Sequence, residues 1–220
     1  MAEEEAETEE TEELAHEEPD PVVPMGPDTE GSAIGDYLFD RWDPSDVVIE
    51  DRGLARYVNL SGQFSVHTGA RHANEWFGKS EVNIVERFAN QLMRTEEYTG
   101  KKTKAIGVIE DAFAHIAEET DTNPLQILVD ALQNAAPREE VTRLRYGGIS
   151  VPKAVDTAPS RRVDWALRNL TKGVMQTSYK NKTPVHLCLA QELLDAANDS
   201  QDSYAVNKKN EVERVAGSAR

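Results

Sequence analysis

A mainly α-helical fold is predicted: a bundle of about six helices, one protruding β-hairpin between the third and fourth, and a disordered acidic tail in front. Three observations predict it. Apolar residues recur at i, i+3 and i+4 through several separate segments, as helices burying one face require. Two short alternating runs, 142–146 and 149–155, flank Gly147-Gly148, a pair that accepts the positive φ angles of a tight hairpin turn. The first twenty residues hold eleven acids and no aromatic residue.

In chain order, residues 1–31 form the tail, where Pro19, Pro21, Pro24 and Pro27 follow the acids and nothing offsets the ordering entropy. Residues 32–78 are an N-terminal extension expected to pack on the domain through Tyr37, Leu38, Phe39 and Trp42. Its later part, 53–76, is polar and reads as irregular. Residues 79–220 form the helical domain. Ser80 is expected to cap a helix with Val82, Val85, Phe88, Ala89, Leu92 and Met93 on its buried face. A basic turn at 100–104 leads into the second helix, which carries Ile106, Ile109, Phe113 and Ile116. The third opens at Asn123 with Pro124 in its first position, and Pro137 ends it. The hairpin occupies 140–158. Beyond it come a helix over 160–180 capped by Ser160, another over 183–199, and a short last one near 207–216.

Length and composition fit one domain, since 220 residues at 39% apolar can bury a real core. The formal charge of −16 argues at first against a polyanionic partner. Its distribution reverses that argument. Fifteen of the forty acids lie in the first forty residues with no base among them, which leaves 25 acids against 24 bases for the rest. From 141 to 190 there are nine bases and two acids. Residues 105–140, by contrast, hold eight acids and one base, Arg138. Such segregation implies a basic face and an acidic face. Arg161 and Arg162 open a helix, where the dipole disfavours cations, so both are expected to serve an outside anion and to be replaceable without harm to the fold. The plainer alternative is a solvated hairpin with ordinary surface arginines.

Catalytic and metal chemistry find little support. Gly78-Lys79-Ser80 lacks the earlier glycine of a phosphate loop, because position 73 is Ala73. His67 and His72 have no companion Cys or His at finger spacing. Cys188, the one cysteine, lies in an apolar run without a nucleophile motif, forms no internal disulfide and fits a reducing compartment. No cofactor, no metal, no enzymatic activity and no membrane partner are expected, and a cytoplasmic location is.

Seven collinear blocks, YLFDRW, SDVVI, IVERFANQLM, TGKKTKA, NPLQILVDALQNAAPREEVTR, VPKAVDTAPSRRVDWAL and SYAVNKKNEVERVA, run from about residue 37 to residue 214. In these the chain resembles the S seven family of small-subunit ribosomal proteins, in its archaeal and eukaryotic branch. The resemblance implies a structural protein that binds the 3′ major domain of small-subunit rRNA and nucleates head assembly. It also implies head and platform proteins as neighbours, with exit-site tRNA and the mRNA path nearby. RNA contacts carried over fall on Lys79, Lys101, Lys102, Lys104, Arg143, Arg145, Lys153, Arg161, Arg162, Arg168, Lys208, Lys209 and Arg214. The hairpin tip, Tyr146, Gly147, Gly148 and Ile149, is expected to point towards tRNA. Members of the family are usually basic, so the acidic balance here points to a halophilic cytoplasm, where the Debye length falls to about 3 Å at 1 M salt. A competing reading is a helix-turn-helix DNA-binding regulator built from 183–199 and 207–216, which needs outward-facing bases on its last helix.

Overall fold

The computed structural model describes residues 37–61 and 66–220. The tail expected at 1–31 lies outside them. In order the elements are α1 (Arg52–Ala55), α2 (Ile84–Leu92), α3 (Lys102–Thr120), α4 (Pro124–Ala135), β1 (Glu139–Tyr146), β2 (Ile149–Asp156), α5 (Pro159–Ser178), α6 (Val185–Ala197) and α7 (Tyr204–Ser218). Two 3₁₀ turns, Arg71–Asn74 and Gly78–Ser80, precede α2. The six expected helices are α2 to α7, and the hairpin separates α4 from α5. Residues 53–76, expected to be irregular, contain most of the single-turn α1 and the first 3₁₀ turn.

Helix starts follow from which residue can accept the orphan N–H groups of a first turn. Asn83, not Ser80, does this for α2, its side chain accepting from Val85 N–H at 2.8 Å. Ser80 sits in the second 3₁₀ turn and donates its hydroxyl to the Phe77 carbonyl at 2.7 Å. Asn123 caps α4 with Pro124 in the first turn, as the sequence indicates. At α5 Ser160 is already inside the helix: Ala158 is the cap residue and Pro159, whose φ is preset for a helix, stands first. The last helix spans 15 residues and is not short.

The core is continuous. Phe88 of α2, Ile109, Phe113 and Ile116 of α3, Leu125, Leu128 and Leu132 of α4, Leu167 of α5 and Leu193 of α6 are buried in one cluster. Each such large side chain contributes about 1.5–3 kcal/mol by leaving water. α6 is central, packing on α3, α4, α5 and α7. The N-terminal extension joins this core through Leu38, Val47, Leu54 and Val58, and Trp42 meets Phe113 edge-on at 5.7 Å. Tyr37 does not join it; half its surface is exposed. Gln126 and Gln133 of α4 hold the extension by its backbone, accepting from Val48 N–H at 2.8 Å and Asp51 N–H at 2.7 Å.

The ribbon is a two-stranded antiparallel sheet in which Tyr146 pairs with Ile149 across the turn. Gly147 and Gly148 take φ of 55° and 90°, the positive values the turn demands. α7 grips its base: Ala154 N–H donates to the Ala219 carbonyl at 3.3 Å, and Arg138 N–H to the Glu213 carboxylate at 2.9 Å.

Candidate nucleic-acid interface

The thirteen bases singled out by sequence divide by what they touch. On the ribbon, Arg143, Arg145 and Lys153 are exposed and make no ion pair with described residues. Register separates them. Arg143 stands opposite Pro152 and Arg145 opposite Ser150, so both arginines share one face. Lys153 stands opposite Thr142 and belongs to the other face, with Leu144, Val151 and Ile149. The ribbon therefore has an arginine side and a largely apolar side carrying one lysine.

On α5 the adjacent arginines differ. Arg161 is exposed and its guanidinium lies 2.8 Å from Glu140. Arg162 is buried; it donates to the Pro137 carbonyl at 3.1 Å and pairs with Asp51 at 2.9 Å. That pair ties the helix to the N-terminal extension, and the guanidinium is turned inward. Arg168 is exposed without an ion-pair partner among described residues. Arg161, Trp165, Arg168, Lys172 and Gln176 follow at i+3 or i+4, so they line one ridge of the helix. Asp164, three residues after Arg161 and four before Arg168, borders it and is held by Lys79 and Arg87. Lys172 is not among the thirteen, although its spacing on this helix marks it.

Around α3, Lys102 is mostly covered and pairs with Glu86, a fully buried carboxylate that also accepts the Thr68 hydroxyl at 2.9 Å. Burial pushes the Glu86 carboxyl up, but Lys102 and the Thr68 hydrogen bonds outweigh it and hold the group below the usual range. Lys101 and Lys104 are exposed; Lys101 donates to the Glu97 carbonyl at 3.3 Å, and the Lys104 ammonium sits 5.4 Å from the Tyr98 ring centre. Lys79 pairs with Asp164, which Arg87 also holds at 2.9 Å. On α7, Lys208 pairs with Glu211 at 2.6 Å, Lys209 with Asp199 at 3.2 Å, and Arg214 is exposed. α7 cannot serve as a helix-turn-helix reader on these terms, since it packs on α5 and the ribbon and two of its bases are already paired.

Among the described residues no group of three or more His, Cys, Asp or Glu is placed to hold a metal ion, and no helix is long and apolar enough to cross a membrane. A cleft of about 260 Å³ lies between Glu50 of the extension, α4 and Ala197 of α6, and there Gln126 and Gln133 are engaged with backbone. Cys188 is buried among the core side chains, and burial pushes its thiol up, away from the reactive thiolate.

A helical body thus carries a projecting ribbon with an arginine face and a basic helix ridge. Its sequence shows the family to which this arrangement belongs. Residues 55–220 match the family described as ribosomal protein S7p/S5e. The small ribosomal subunit protein uS7 of Picrophilus torridus is 51% identical over 183 residues, covering 83% of this chain and 98% of that one. Those of Halococcus morrhuae and Haloarcula marismortui are each 48% identical over 204 and 206 residues, covering 93% and 94% of this chain and 98% and 99% of theirs. The chain belongs to the S7p/S5e ribosomal protein family, and is a structural ribosomal component and not an enzyme.

Proposed function

We propose that the chain is a primary rRNA-binding component of the small ribosomal subunit, seated on the 3′ major domain where it nucleates assembly of the head. The reading is carried by one observation. Arg143, Arg145 and Arg168 are displayed on the ribbon and α5 with no ion-pair partner among the described residues, while Arg162 and Lys102 are committed to ion pairs that hold the fold. A cation left unpaired beside a chain of 40 acids is placed to meet phosphate from outside. Head and platform proteins are its neighbours in this reading, and the ribbon tip reaches towards exit-site tRNA and the mRNA path. The relatives from Halococcus and Haloarcula align over some twenty residues more than that from Picrophilus, which supports a halophilic setting for the acidic composition.

Titrating the full chain against a transcript of the 3′ major domain, over a range of salt, tests this. The logarithm of the affinity should fall as the logarithm of salt concentration rises. Replacing Arg143, Arg145 and Arg168 together with Gln should lower that slope by about three, near 0.9 per phosphate contact. Equal binding to an unrelated transcript, or an unchanged slope, would sink the assignment.

A further inference from the structure

Two of the largest apolar side chains in the protein face water. Trp76 is 93% exposed and Phe77 69%, although aromatic residues gain most from burial. The loop presenting them is built and not loose. Gly78 is buried, and a Cβ there would stand 2.7 Å from the His72 carbonyl oxygen, so the two 3₁₀ turns close on each other at a point only glycine fills. Phe77 takes φ of 60°, a left-handed conformation that L-residues disfavour. Its carbonyl is held there by Ser80, through N–H at 2.9 Å and hydroxyl at 2.7 Å. The next residue, Lys79, pairs with Asp164 of α5. That contact pins the loop beside the ridge of Arg161, Arg168 and Lys172.

We propose that Trp76 and Phe77 form a stacking platform for an unpaired base of the rRNA whose phosphates follow the α5 ridge. The proposal rests on the rRNA reading above and names a site for it. Unstacked RNA bases are recognised by aromatic faces, and any base offers one. Charge favours this occupant over an apolar protein surface. On the α5 ridge that Lys79 reaches through Asp164, Arg168 and Lys172 are exposed and make no ion pair with described residues. Two free cations thus stand beside the loop for a polyanion, against the exposed Glu75 and Glu81 that flank the pair.

The full-length Trp76→Ala/Phe77→Ala variant, titrated against the 3′ major domain transcript, should bind roughly 5- to 150-fold more weakly for each base that loses its stack. Its salt slope should match the parent, since stacking releases no counterions. Trp76→Phe should retain most of the affinity. Arg168→Gln/Lys172→Gln should do the reverse and reduce the slope. Thermal unfolding of the alanine variant should match the parent, both side chains being exposed. As a second reading, RNA should quench the fluorescence lost in Trp76→Phe more strongly than that of the other two tryptophans. If the parent fails to bind this RNA, the rRNA reading itself falls. If the parent binds and the alanine variant binds equally, or loses slope along with affinity, the platform alone is overturned. Normal RNA binding with failed incorporation into subunits also overturns it and gives the pair to a neighbouring protein.

Discussion

Arg161 and Arg162 show how little a sequence position says about where a side chain ends. Both were expected to face an outside anion, yet Arg162 is buried against Asp51, 111 residues earlier in the chain. No local spacing reports a partner that distant. Arg162→Gln should therefore destabilise the protein by about 1–3 kcal/mol, less than a fully buried pair would lose because Asp51 keeps some contact with water. Arg161→Gln should shift stability by under about 1 kcal/mol. Urea unfolding of the two variants checks this, and equal losses would refute it. Glu192 offers a second test at this scale. It is buried beneath the start of α7, accepting from Ser203 hydroxyl at 2.9 Å and Ala205 N–H at 3.1 Å. Gly173 makes the room, since a Cβ there would stand 2.8 Å from that carboxylate. Burial pushes the Glu192 carboxyl up and outweighs those hydrogen bonds. Folding thus favours the protonated acid: its contribution is complete below the ordinary value of 4.5 and is lost as pH rises through the raised one. Glu192→Gln keeps an acceptor without the charge, so its stability relative to the parent should increase as pH rises from about 4.5. A gap that is flat with pH would show that Glu192 is not raised.

At the scale of elements, the helices were legible and several of their edges were not. Every long helix carries its apolar residues at helical spacing, and burial in one core is what that spacing encodes. Ser80 and Ser160 misled because a good capping side chain caps only where the chain turns. Asn83 and Pro159 set the turn instead. In the ribbon the Gly147-Gly148 turn was legible, and it fixes the register that puts Arg143 and Arg145 on one side and Lys153 on the other. If RNA lies along the arginine side, Arg143→Gln/Arg145→Gln should lower the salt slope by about two, and Lys153→Gln should leave it unchanged. A loss of about one for Lys153→Gln would mean that RNA wraps both faces. The tip carries no charge, so replacing 146–149 with a minimal turn should leave binding to isolated rRNA within a few-fold. Loss of assembly on that change would make the tip part of the primary site.

For the whole molecule, charge is the property that sequence reads best, because it needs no geometry to be counted. What the sequence could not supply was which charges cancel: Lys79 with Asp164, Lys102 with Glu86 and Arg162 with Asp51 join elements 85, 16 and 111 residues apart. Each such pair removes one base and one acid alike, so the three leave 21 of the 24 bases against 37 of the 40 acids, and long-range repulsion from RNA must be large at low salt. The first forty residues supply fifteen acids and no base, and cannot neutralise a phosphate. Removing residues 1–30 should therefore tighten rRNA binding at 0.1 M salt, where the Debye length is about 10 Å, and change it little at 1 M, where it is about 3 Å. The salt slope should be shallower at its low end in the full chain than in the shortened one, because screening relieves the tail's repulsion as it weakens the body's contacts. Binding isotherms for both forms at a series of salt concentrations measure this directly. A shortened chain that binds more than tenfold weaker at any salt would show that the acidic segment makes contacts of its own.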